Sequence, residues 1–291
     1  MGLLDRASQR LLDGLRLRVR SNVTSTDQGG QRSENFNSGL EFADHREYVP
    51  GDDVRQIDWK AFIRSGVLTV RTFEEERDVR IFVLVDASAS MRRGDPVKMD
   101  VGRKVAAALG YLGMKQFDRV QIIPFTDVPE MASPAMRTRA EFPVLERFLA
   151  DIEPDGVTTF AKTARTFVQR HPSRGLLIVV TDLMETADWT HSLRLLARAG
   201  HQILVVRVTC KEDDEPSFRG EMELEDAETG ERVRVSMNRS LLKAYREEVA
   251  EHVERCADTC VRIGARLVHA PVEQPLESIL REALATATEA R

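Results

Sequence analysis

Cysteine is scarce in this sequence, with Cys210, Cys256 and Cys260 the only three among 291 residues. So few, in odd number, exclude the disulfide framework of a small secreted domain and fit a reducing compartment. Long apolar runs are missing too: Val105 to Met114 is about half of what a bilayer span needs and is broken by glycine. No transmembrane helix is therefore expected. The opening Met-Gly-Leu-Leu-Asp-Arg puts a charge where a signal peptide needs its apolar region, and Arg6 where a myristoylation signal needs Ser or Thr. A cytoplasmic protein is expected. An excess of positive charge is also lacking, since 42 Lys and Arg face 47 Asp and Glu for a formal charge of -5, which argues against a nucleic-acid partner. Neither a Gly-x-Ser-x-Gly elbow nor a Gly-x-x-x-x-Gly-Lys phosphate loop occurs, and the chain is not expected to be an enzyme.

What is present is an ordinary globular composition, 42% hydrophobic, with enough chain for one large domain and a small one. In residues 1–20, Leu4, Ala7, Leu11, Leu15 and Val19 recur at helical spacing, followed by Arg16, Arg18 and Arg20. They predict an amphipathic helix packed on its own domain, with a membrane-surface or partner helix as the alternative. Residues 21–38 are polar and read as a linker. Residues 39–78, with extended runs at Gly39 to Phe42 and Val67 to Phe73 around Pro50-Gly51, predict a small β-rich subdomain.

From residue 79 to 291 the rhythm is that of an α/β, doubly wound, mostly parallel sheet. Strands are expected at Val79 to Asp86, Val120 to Phe125, Leu176 to Thr181, Ile203 to Val208 and Arg266 to His269. A helix is expected around Val101 to Leu112, with others near 140–150, 159–170, 189–199, 240–263 and 274–287. An alternating insertion at 220–236, turning at Glu228-Thr-Gly230, predicts a β-hairpin, expected to pair with the strand near Val67 to Phe73.

The first strand ends in Asp86-Ala-Ser88-Ala-Ser90. One carboxylate and two hydroxyls at alternate positions can converge on a point, and hard cations such as Mg²⁺ or Mn²⁺ take about six oxygen ligands. Thr158 lies in a loop before a helix, and Asp182 follows the strand Leu176 to Thr181. In a doubly wound sheet all of these open on the same edge.

This set resembles the metal-ion-dependent adhesion site of von Willebrand factor type A domains. The resemblance implies that Ser88 and Ser90 ligate the metal (Mg²⁺, or Mn²⁺ or Ca²⁺) directly. It implies that Asp86 and Asp182 commonly act through water, with Thr158 direct or water-mediated. A partner protein's carboxylate would take the remaining position. Thr159 stands where many relatives carry Asp. Upstream, Gly39-Leu-Glu-Phe-Ala-Asp-His-Arg-Glu-Tyr-Val-Pro-Gly-Asp-Asp-Val-Arg-Gln-Ile-Asp-Trp59, then Arg64 and Val70-Arg-Thr-Phe-Glu-Glu-Glu-Arg77, resembles the bacterial and archaeal domain of unknown function 58 family. That resemblance implies a MoxR-type AAA+ ATPase as partner.

Blander readings apply to the other clusters. Asp52, Asp53, Arg55 and Asp58 suit ion pairs and turn caps, and Trp59 suits core or interdomain packing. His252, Cys256 and Cys260 share a helix face at zinc-like spacing, but that face is apolar and predicts core. The acidic runs 74–76 and 212–215 read as solvated surface. The functional expectation is a metal-dependent interaction module binding an acidic partner residue. The alternatives are a Mg²⁺-dependent phosphohydrolase using Asp86 and a scaffold that needs no metal.

Overall fold

The computed structural model describes residues 2–17, 40–49, 57–75, 79–116, 118–127, 131–157, 159–185, 189–214, 216 and 220–285. The chain divides into two compact units, residues 26–78 and the rest. The segment read as a linker, the sequence Asp52-Asp53-Val-Arg55 and Thr158 lie outside the described residues.

The first helix, α1 (Arg6–Asp13), is shorter than its periodicity predicts, because Gly14 caps it and residues 14–17 continue without helical structure. It belongs to the core of its own unit. Leu4, Leu12 and Leu17 are buried, and Lys115 Nζ donates to the Leu12 carbonyl at 3.1 Å and the Leu15 carbonyl at 2.9 Å.

In the smaller unit β1 (Leu40–Glu47) pairs antiparallel with β2 (Thr69–Glu75), and the helix α2 (Trp59–Ser65) lies between them in sequence. Asp58 is buried and its carboxylate accepts from the Ala61 amide at 3.0 Å, a turn cap that starts α2. Trp59, expected in core or interdomain packing, is not in the core of its unit: it is 58% exposed, with its ring edge-on to Phe62.

The larger unit is built on β3 (Arg80–Asp86), β4 (Arg119–Phe125), β5 (Leu176–Thr181), β6 (Gln202–Thr209) and β9 (Arg266–Pro271). They lie in the order β4-β3-β5-β6-β9, and every ladder is parallel. This is the doubly wound α/β sheet that the sequence predicts. Strand β3 shows why it forms. Ile81, Val83 and Val85 enter one core, while Phe82 and Leu84 enter the other, so an uninterrupted apolar run is buried on both faces. The first core is shared with α1, α3 (Lys98–Lys115), α4 (Phe142–Ala150) and α9 (Leu276–Ala285). The second is shared with α5 (Phe160–Arg170), α6 (Trp189–Arg198) and α8 (Arg239–Ile263). Strand order reverses at β3, with β4 on one side and β5 on the other, which sets the loops after β3 and β5 side by side. The outer edge of β4 is covered by residues 133–136, where Ser133 and Met136 bond back to Ile122 and Val120.

Beyond β6 come a single turn of helix, α7 (Lys211–Asp214), and the hairpin of β7 (Gly220–Glu225) and β8 (Arg232–Met237). The hairpin forms where predicted, but the expected ladder to residues 67–73 is not among the described pairings: β7 pairs with β8 and β2 with β1. The Asp226 carboxylate caps the turn, and Arg232 meets Glu225 at 2.7 Å across the strands, so the hairpin is held by contacts of its own.

At the amino end of the sheet His201 is 5% exposed, packed among the rings of Phe82, Phe167 and His171. Burial pushes its pKa down to about 4. Because the folded value lies below the unfolded one of 6.5, this group's contribution is fully present above that pH and is lost as pH falls toward 4. Lowering pH from about 7 to 5 should cost about 2 kcal/mol through this residue. In His201→Leu the difference between urea unfolding free energies at the two pH values should shrink by that amount. Separately, Leu12→Ala should cost about 2–5 kcal/mol in the same assay; a loss under about 0.5 kcal/mol would place α1 outside the core.

Candidate metal-ion site

The carboxyl end of β3 carries Asp86, fully buried. Its Oδ1 accepts from the Ser88 amide at 3.1 Å, an Asx-type turn that bends the chain as it leaves the strand. Its Oδ2 accepts from the Thr181 hydroxyl, at the end of the neighbouring strand β5, at 2.6 Å. Ser88 then caps a 3₁₀ turn, Ala89–Arg92, whose tight winding brings Ser90 Oγ to 3.0 Å from Ser88 Oγ. Ser90 Oγ donates in turn to Asp182 Oδ2 at 2.8 Å. Four of the five expected residues thus meet at the point where the strand order reverses. Thr158 lies outside the described residues, although its loop is tied to the same place: the Asp155 amide donates to the Ala87 carbonyl at 2.7 Å, and the Ala89 amide to the Gly156 carbonyl at 3.0 Å. Gly156 has φ +77°, a left-handed turn suited to glycine. Thr159 opens α5 as its N-cap residue.

The arrangement suits a hard dication. Adjacent ligands in an octahedron around Mg²⁺, at about 2.1 Å from the ion, lie about 3 Å apart. The spacings Ser88 Oγ to Ser90 Oγ and Ser90 Oγ to Asp182 Oδ2, 3.0 and 2.8 Å, are of that size. The charge balance agrees: burial, and then the field of Asp182, push the Asp86 pKa up to about 7 against the pull of the Thr181 and Ser88 hydrogen bonds. Further positive charge beside this pair of buried carboxylates would lower that pKa. Among the described residues no group of three or more His, Cys, Asp or Glu side chains is placed to hold a metal ion.

The loop after Asp182 is held under strain. Leu183, buried, has φ 59°, an unfavourable conformation for a residue with a branched side chain. Its amide is fixed by Thr181 Oγ1 at 3.1 Å, and its carbonyl lies 3.0 Å from His252 Nε2 on α8. His252 therefore braces the site loop, while Cys256 and Cys260 are buried in the core with the Cys260 thiol pushed by burial up to about 12.

Three participants escape the sequence reading. Thr181 is one. The others are Lys98, at the start of α3, and Asp213, in α7: Lys98 Nζ lies 2.6 Å from Asp182 Oδ2 and 3.0 Å from Asp213 Oδ2. Asp213 belongs to the acidic run 212–215, read as solvated surface, yet it is 4% exposed because the Cys210 amide and Lys98 draw it inward. Its place four residues beyond the end of β6 was the available signal. The side chains of 74–76 lie outside the described set.

A family model described as "Protein of unknown function DUF58" matches residues 44–255. The chain belongs to the DUF58 family. Among its relatives are uncharacterized protein Mb1516 of Mycobacterium bovis and uncharacterized protein Rv1480 of Mycobacterium tuberculosis. Each is 28% identical over 235 residues, 79% of this chain and 74% of the relative. Similar solved structures include the conserved hypothetical protein BatB from Bacteroides thetaiotaomicron, with TM-score 0.45 and 14% identity, covering 73% of this chain and 100% of that one. Proximal thread matrix protein 1 from the mussel byssus, with a zinc-occupied MIDAS motif, has TM-score 0.35 and 13% identity, covering 45% and 38%. Among the described residues no helix is long and apolar enough to cross a membrane.

The bond from Thr181 gives the site its first test. Thr181→Val keeps the shape of a fully buried side chain but leaves Asp86 Oδ2 without this donor. Urea unfolding without added dication should show a loss of about 1–3 kcal/mol, and an unchanged midpoint would show that the bond contributes nothing.

Proposed function

We propose that this member of the DUF58 family is a metal-ion-dependent interaction module, in which a dication held by Ser88, Ser90, Asp182, Asp86 and Thr158 grips an Asp or Glu of a partner protein. The observation that carries the reading is the run of three oxygens, Ser88 Oγ, Ser90 Oγ and Asp182 Oδ2, at octahedral-edge spacing where the strand order reverses. Bound there, the ion would supply an electrophilic position able to exchange water for a carboxylate. The chain's own residues do the positioning. Thr181 and the Ser88 amide fix Asp86, the 3₁₀ turn aims Ser90, and the strained Leu183 turn points Asp182 inward. Specificity must come from the surrounding loops, since the contact between metal and carboxylate is generic.

The family resemblance makes a MoxR-type AAA+ ATPase in the bacterial cytoplasm the first partner to try. The phosphohydrolase reading is weaker, because an aspartyl nucleophile needs an accessible oxygen. Asp86 is 0% exposed, with both oxygens engaged. The test is capture of partners from the native cell by the tagged chain, with Mg²⁺ or with chelator, alongside Asp86→Ala and Ser88→Ala. Capture of a defined partner should need Mg²⁺ and fall at least tenfold in both variants, with their circular dichroism unchanged. Equal capture in chelator would refute the reading, and Mg²⁺-dependent turnover of a phosphate ester would favour the hydrolase.

A further inference from the structure

Lysine is almost never fully buried unless its charge is answered. The Lys98 side chain is 1% exposed, and its ammonium lies between two carboxylates whose own side chains are 1% and 4% exposed. The ammonium is answered on two sides, by Asp182 Oδ2 at 2.6 Å and by Asp213 Oδ2 at 3.0 Å. The oxygen it holds most closely, Asp182 Oδ2, is also the one that accepts from Ser90 Oγ. One carboxylate oxygen therefore serves both the buried ammonium and the row of oxygens assigned to the dication.

We infer that Lys98 is a resident counter-cation of the site, competing with the dication for Asp182 and setting how tightly the dication is held. This rests on the proposed metal reading and adds to it a residue outside the ligand set. Asp182 Oδ2 cannot accept from the ammonium at 2.6 Å and face a dication without loss, because the two positive charges repel across a buried, weakly screened gap. Asp213 supplies the ammonium's second position. Its Oδ2, 3.0 Å from Nζ, is fixed by the Cys210 amide at 3.0 Å, so Lys98 can turn its charge toward Asp213 without leaving the interior. The formal count then closes: three carboxylates, Asp86, Asp182 and Asp213, against one ammonium leave a deficit of two positive charges, which one dication would supply.

The closing experiment titrates Mn²⁺ and Mg²⁺ into the full chain by calorimetry and follows melting temperature with and without each ion. Lys98→Met should bind Mn²⁺ at least tenfold more tightly than the unaltered chain, melt lower without metal, and gain more on adding it. Asp213→Asn, which leaves the ammonium to Asp182 alone, should bind at least threefold more weakly. The double variant Lys98→Met/Asp213→Asn removes a neutral pair and should again bind more tightly than the unaltered chain. Loss of a merely structural ion pair could weaken binding but not tighten it. Should Lys98→Met not fold, the Asp213→Asn and double variants decide by the same signs. Equal affinities throughout would overturn the inference and leave the metal reading standing. Binding by Lys98→Met but not by the unaltered chain would show that Lys98 fills the site in place of a dication, overturning the metal reading and the inference that rests on it, and binding by neither would overturn both.

Discussion

Two adjacent parallel strands, β3 and β5, each end in an acid or run directly into one, and neither acid can reach water. Asp86 and Asp182 are 0% and 1% exposed, and Asp213 beyond the next strand is 4% exposed. Holding three carboxylates in such a place is costly unless each is met by donors or by positive charge. Much of the local structure answers that cost. The Ser88 amide and the Thr181 hydroxyl serve Asp86, the Met184 amide and Ser90 serve Asp182, and the Cys210 amide serves Asp213. Lys98 alone brings a full positive charge among the described contacts of these acids.

The sheet makes this concentration possible because it is rigid and dry up to its rim. Strand β3 is buried on both faces along Ile81 to Val85, and β5 along its whole length, so the strand ends cannot splay to let their acids separate. The reversal of strand order at β3 leaves a crevice over those ends that the loops must roof. They do so with backbone bonds, Asp155 to Ala87 and Ala89 to Gly156, and with the left-handed turn at Leu183 that His252 braces from α8. Strain of that kind persists only where surrounding packing enforces it.

How far the sequence shows this depends on how local each part is. The strands and the flanking helices are readable because an apolar run and a helical stripe are properties of short windows. Asp86, Ser88 and Ser90 are readable for the same reason, and Asp182 because an acid directly after a buried strand is uncommon. Lys98 is not, since nothing within its own helix marks it as buried and its closest oxygen lies 84 residues away. Asp213 is hidden among other acids, in a run whose composition describes surface. Trp59 and the short α1 mislead in the opposite direction. An aromatic ring and a continuing periodicity suggest packing, yet Trp59, at the first turn of α2, is exposed, and Gly14 ends α1 early.

The distribution of donors also bears on what kind of chemistry the site can host. Catalytic carboxylates are usually poised at a cleft with one oxygen held and the other presented to substrate. Asp86 has both oxygens tied to the fold. Two of the three oxygens in the row are instead hydroxyls, Ser88 and Ser90, a ligand type that would hold a hard cation without quenching its charge. Under the proposed metal reading, hydroxyl ligands would leave the ion electrophilic toward an anion, and the ammonium-carboxylate pair beside it, Lys98 with Asp213, would change the strength of that demand without changing the net charge. On the proposed reading such a site would hold a carboxylate reversibly, with an affinity set by how completely Lys98 yields Asp182.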